Sequence, residues 1–310
     1  MYVCIIFTAI HSVAKNKIIN YSGSAEEGKK GDKGKKGGKH SLFCPLDKNR
    51  SFEIMKVREK LTYSGNTLEP DFYLINTAGR IYHRGKKRRV SKDAQKKLNH
   101  ENAVKKLRRL LEENFTEDDY KIDLTFRDDE MPITYSECQK MWANFVRRLK
   151  RRRDKLGLPE LKYVYSIECK ISKRTGIARF HFHGAISSGI SPKELRKIWG
   201  HGDINKIDNL QFTNKGLEPL AKYMLKERSN ELLPQGRKCY TVSQNLRPPK
   251  EKVKDGVFSA AYLERLCKER IDDVDFWERR YKGYRFIEAT PSYNESYGTW
   301  HLSVFMRKKE

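Results

Sequence analysis

Two consecutive stretches, KYVYSIECKI (162–171) and IARFHFHGAI (177–186), alternate apolar and polar residues and are separated only by SKRTG. Such a pair reads as an antiparallel hairpin with one face buried. On the first strand Tyr163, Tyr165, Ile167, Cys169 and Ile171 share a face, and on the second Ala178, Phe180, Phe182 and Ile186 do. Both faces must meet one core, because a slip of one residue would turn every apolar side chain outward. A loop of Lys173 to Gly176 then pairs Ser172 with Ile177 and sets Glu168 across from His181, with Cβ atoms about 5 Å apart. His181, His183 and Glu168 therefore converge on the face away from that core. Two imidazoles and a carboxylate on a rigid sheet suit a divalent cation with open coordination positions. His-x-His alone would be read as surface or hydrogen-bonded histidines; the independently placed glutamate adds the weight. No cysteine stands beside them to close a structural zinc site, and phosphate chemistry favours magnesium or manganese.

The flanking elements set the fold class. KIDLTF (121–126) alternates Ile122, Leu124 and Phe126 against Asp123 and Thr125, as a half-buried strand does. Thr134 and Glu137 have capping-box spacing ahead of a helix with Cys138, Met141, Trp142, Phe145 and Leu149 on one side. Ser191, Pro192 and Glu194 announce another helix in SPKELRKIW. Strand, helix, strand, strand, helix predicts an α+β domain: a ferredoxin-like antiparallel sheet with helices on one face. Upstream, NHENAVKKLRRLLEENF predicts a helix from Asn99, with Ala103, Val104, Leu107, Leu110 and Leu111 on one stripe and Lys/Arg on the other.

A net charge of +25 and a pI near 9.7 point to a polyanion as partner, nucleic acid first. No apolar run approaches the ~20 residues of a spanning helix, so no membrane partner is expected. MYVCIIFTAIHSVAKNK lacks a basic segment before its apolar stretch, which argues against secretion. The six cysteines lie far apart with no Cys-x-x-Cys pair, as expected in a reducing cytosol. GKKGDKGKKGGK (28–39) cannot bury anything and predicts a disordered basic extension over residues 1–50. Strand-like pieces and the basic linker HRGKKRRVSKDAQKK suggest a small accessory segment over 51–98, ahead of a main domain over 99–310. The cationic runs are expected to contact DNA phosphates: Lys86, Lys87, Arg88 and Arg89 in the linker, and Arg147, Arg148, Arg151, Arg152 and Arg153 at the end of the 135–153 helix. His201, between glycines, reads as a turn residue, and the four tryptophans read as core.

In GLEPLAKYMLKERSN (216–230), Leu217, Leu220, Ala221 and Met224 form a short apolar stripe, while Tyr223 and Lys226 lie three apart on the opposite side. Beside a metal site the phenol is a candidate nucleophile for phosphodiester attack, and Lys226 a candidate to lower its pKa or grip a phosphate.

KIDLTF, the His-hydrophobic-His of HFH (181–183) and Tyr-x-x-Lys in KYMLKE come in the order of the three motifs of HUH-superfamily rolling-circle replication initiators. The chain resembles their single-tyrosine Rep proteins from small plasmids and phages over about residues 99–310, with RKCYTVSQNLRPPK and YKGYRFIEATPSY also similar to segments of such proteins. The resemblance implies that His181, His183 and Glu168 hold the metal, and that Tyr223 becomes linked to the 5′ phosphate of nicked single-stranded origin DNA, leaving a 3′ hydroxyl primer. It also implies an origin hairpin as substrate, a host helicase and polymerase as partners, and a bacterial cytoplasm as the setting. A second tyrosine near Tyr223 and a phosphate-binding loop are both missing from the sequence, so no helicase domain is implied. Other readings are a transposase or relaxase of the same superfamily, or a non-catalytic basic nucleic-acid-binding protein.

Overall fold

The computed structural model describes residues 55–77, 93–171, 176–203, 205–226, 238–294 and 298–309. The expected N-terminal extension and Lys86, Lys87, Arg88 and Arg89 lie outside them. The predicted hairpin is present as β4 (Tyr163–Ile171) and β5 (Ala178–Ile186), and Glu168 does pair with His181. With β3 (Tyr120–Leu124), β6 (Lys206–Asn209) and the short β7 (Thr241–Val242) they make an antiparallel sheet of order β6-β3-β5-β4-β7. Its first four members have the ferredoxin-like order.

Two helices cross over one face, as expected. The first, α2 (Tyr135–Lys155), starts at the Thr134–Glu137 capping box; the second, α3 (Pro192–Trp199), starts at the Ser191 cap with Pro192 in its first turn. Trp142, Phe145 and Leu149 of α2 and Leu195 and Trp199 of α3 close over Ile122, Ile167, Phe180 and Phe182. The face bearing the histidines is covered too. A longer helix than expected, α1 (Asp93–Asn114), and α4 (Glu218–Leu225) pack Val104, Leu107, Leu111, Leu220, Ala221 and Met224 onto Val164 and Ala185. Gly184 permits this layering, since a Cβ there would stand 2.1 Å from the Val164 carbonyl oxygen.

The segment expected to be accessory is built into a second antiparallel sheet. Its order is β8-β1-β2-β10-β9, from β1 (Met55–Ser64), β2 (Thr67–Asn76), β8 (Lys250–Asp255), β9 (Tyr284–Asn294) and β10 (Thr299–Lys308). One face of it packs Val57, Phe72, Leu302 and Val304 under α5 (Ala260–Glu269) and α6 (Val274–Arg280), with Trp277 fully buried. Residues 99–310 thus do not complete their own sheets; β10 needs β2 beside it.

The polar stripe of α1 faces the other side of this sheet rather than water. Arg108 meets Glu69 at 2.5 Å, Arg109 meets Glu69 at 2.8 Å and Asp71 at 3.1 Å, and Lys105 donates to Asp71 at 2.8 Å and to Ser303 at 2.7 Å. One helix is shared by two sheets, through its leucines on one side and its cations on the other. Burial raises the Asp71 carboxyl, but Lys105, Ser303 and Arg109 outweigh it and bring the group down to about 2.

Candidate active site

The histidine face of the first sheet carries a ladder of charges across three strands. His183 shares a 2.6 Å hydrogen bond with Asp123 through Nδ1 and a 2.9 Å bond with Glu168 through Nε2. Lys121 stands 3.2 Å from Asp123, and Lys170 stands 2.7 Å from Glu168. Register explains the ladder: Asp123 of β3 lies directly opposite His183 of β5, while Glu168 of β4 reaches diagonally from its position opposite His181. Glu168 and His183 are both buried.

The electrostatics follow. Burial opposes charge on His183, but hydrogen bonds and charges from Asp123 and Glu168 prevail and raise its pKa. Burial likewise raises Glu168, and His183 and Lys170 outweigh it and lower the carboxyl to about 2. Asp123 is held below its ordinary value by His183 and Lys121 against the same desolvation. His181 moves the other way, lowered by burial and by the neighbouring His183.

Tyr223 of α4 closes the site. Its ring meets the His183 ring edge-on, centroids 4.6 Å apart, and it remains 40% exposed, so the hydroxyl is reachable from outside. Burial, then the Asp123 and Glu168 carboxylates, push its phenol up to about 12. The nearest cation is not the expected one. Lys121 sits over the Tyr223 ring at 5.1 Å, whereas Lys226 follows the end of α4. Lys226 nonetheless shares a cleft with Tyr223.

The donor set fits an open divalent-cation site. Two ligands about 2.1 Å from one ion at right angles stand about 3.0 Å apart, and His183 Nε2 and Glu168 Oε2 are 2.9 Å apart. His181 lies two residues away on the same face, its ring nearly parallel to that of His183 at 6.4 Å. Among the described residues no three His, Cys, Asp or Glu side chains are already gathered as a cage. Asp123, on the far nitrogen of His183, has the place of a carboxylate that orients a metal-binding imidazole.

The cationic end of α2 divides. Arg153 is buried and donates to the carbonyls of Pro159 at 2.9 Å and Ser188 at 2.5 Å. Arg148 donates to the carbonyls of Ile198 and Trp199 at the end of α3, and Arg152 pairs with Glu194 at 2.5 Å. Arg147 and Arg151 are exposed. All five stand on the helix that covers the sheet face opposite Tyr223. His201 hydrogen-bonds Glu130 at 2.7 Å just after the helix-ending Gly200, in keeping with its turn reading.

Residues 119–228 match the family model described as replication-associated protein ORF2. The matched stretch holds the ladder, both histidines and Tyr223, and it supports a replication-initiator family. Comparisons with curated proteins and with solved structures find no match. No helix among the described residues is long and apolar enough to cross a membrane.

Proposed function

We propose that this replication-associated chain is a nickase of the HUH type, cutting single-stranded origin DNA by attack of Tyr223. The observation that carries the reading is the contact of the Tyr223 ring with His183, itself in ligand spacing with Glu168. The phenolic oxygen forms a bond to the phosphorus while the bond from phosphorus to the 3′ oxygen breaks. The phenolic proton passes to solvent, the 3′ oxygen takes one up, and the 5′ phosphate stays on the tyrosine. The phosphodiester is exchanged rather than hydrolysed, so the strand can be rejoined.

Glu168, His183 and His181 would hold magnesium or manganese, which when bound draws negative charge from the phosphate oxygens. Asp123 keeps the His183 ring oriented through Nδ1. Lys121, over the phenol ring, offsets the two carboxylates that oppose its ionisation. Lys226 supplies a second cation to the same cleft for a phosphate.

Circular single-stranded DNA carrying the origin, incubated with the protein and magnesium or manganese, should give a nicked strand with protein attached at its 5′ end. Tyr223→Phe should keep the fold and DNA binding and lose both products. An adduct peptide outside 218–226, or cleavage that persists with chelator, overturns the reading. Binding without any cleavage would favour the non-catalytic alternative.

A further inference from the structure

Tyr223 stands where two clefts meet. The smaller, about 390 Å³, runs past Lys121, Gln211 and Thr213. The larger, about 950 Å³, has Lys97, His100 and Lys226 on its α1–α4 wall and Thr290, Ser292 and His301 on the wall formed by the second sheet. We propose that the larger cleft holds the single strand on one side of the scissile phosphate, which makes β9 and β10 part of the substrate-binding surface. This inference rests on the nicking reading.

Attack on an internal phosphate requires the polynucleotide to run past the nucleophile in both directions. A phenol at the blind end of one pocket could serve only a chain terminus. Two clefts that share Tyr223 meet the requirement, and only the larger is walled by the second sheet.

The chemistry of the walls fits a nucleic-acid strand. Thr290 and Ser292 are exposed on alternate positions of β9, so both hydroxyls share a face, and they lie opposite Ser303 and His301 of β10. Hydroxyls and imidazoles serve phosphate oxygens and base edges alike. Across the cleft, Lys97 and Lys226 have no ion pair among the described residues, which leaves their charge for phosphates. Three of the lining carboxylates are already matched: Glu288 by Lys215, Glu218 by Lys222 and Glu69 by Arg108 and Arg109.

The test is the exposed double variant Thr290→Glu/Ser292→Glu in the full chain. Two like charges on the wall should weaken binding of an oligonucleotide long enough to fill both clefts by roughly tenfold or more, and slow nicking, with the melting temperature unchanged. If the wild type nicks and the double variant binds and nicks equally well, the cleft is not the strand path and the nicking reading stands. A wild type that neither binds nor cuts removes both. Should the double variant fail to fold, Tyr223→Phe protein can be photocrosslinked to an iododeoxyuridine-substituted oligonucleotide. Adducts within 284–308 support the assignment; adducts confined to other peptides overturn it.

Discussion

Glu112 of α1 offers a perturbation whose magnitude follows from its surroundings. Its carboxyl accepts a 2.9 Å hydrogen bond from the Leu217 amide, at the threshold of the helix that carries Tyr223, and lies 2.8 Å from Thr67 Oγ1. Thr67 Oγ1 is also 2.8 Å from the Ser64 carbonyl, and a hydroxyl has one proton to give. All three bonds are satisfied if Glu112 is protonated and donates to Thr67, which then donates to Ser64. Gly216, at φ +61°, seals the site, since a Cβ there would fall 1.8 Å from Glu112 Oε1.

Burial accordingly raises Glu112 from 4.5 to about 7, against Arg108, the Leu217 amide and Thr67. A carboxyl raised in the folded state favours folding fully below its unfolded pKa, and that contribution is lost as pH rises through the folded pKa. The loss runs between about pH 4.5 and 7 and amounts to about 3 kcal/mol at 1.36 kcal/mol per unit. Glu112→Gln keeps an acceptor for Leu217 and a donor for Thr67 but cannot ionise. Urea denaturation of the two proteins from pH 4.5 to 8.5 isolates this group, because every other titration is common to both. The variant should gain on the wild type as pH rises and level off above pH 7, a difference of roughly 6–12 °C in melting temperature for a domain of this size. Parallel curves, or a variant that loses ground with rising pH, would refute the assignment of a neutral Glu112.

Other outcomes follow from the same contacts. Asp123→Asn removes the carboxylate behind His183 and should weaken metal binding by about 10–100-fold, read by titration calorimetry. Glu69→Ala leaves Arg108 and Arg109 buried without their partner and should cost about 3–5 kcal/mol in denaturant unfolding. Arg153→Ala should lower stability through lost bonds to buried carbonyls. By contrast Arg147→Ala and Arg151→Ala should leave melting unchanged and, if they touch phosphates, each reduce the salt slope of single-strand binding by about 0.7.

The hairpin register was legible because its period of two leaves no freedom: once Ser172 faces Ile177, Glu168 must face His181. The caps of α2 and α3 were legible for a similar reason, since Thr134, Glu137 and Ser191 act within one turn. Asp123 was harder to see. It shows in the sequence only as the polar alternate of a strand, and its role depends on β3 lying beside β5. Lys121 escaped for the same reason, and the Tyr223 helix offered the more visible Lys226 instead. The arginines of α2 read as one basic run, yet their roles diverge with the 100° step of the helix, which turns Arg153 inward and Arg151 out. Nothing local revealed the second sheet, whose partners stand at opposite ends of the described chain.

That separation bears on how the molecule is made. Asp71 accepts a hydrogen bond from Ser303, 232 residues later, so β2 leaves the ribosome with its partner edge unsynthesised. Everything in the first sheet, from β3 to β7, is available earlier, and loop closure over so long a span is slow. The nucleophile's sheet can therefore form during synthesis, while the β1–β2 hairpin waits with one edge open to chance pairing. A translation stall before β9 would leave a protein with the chemistry of Tyr223 in place and the cleft wall beside it missing.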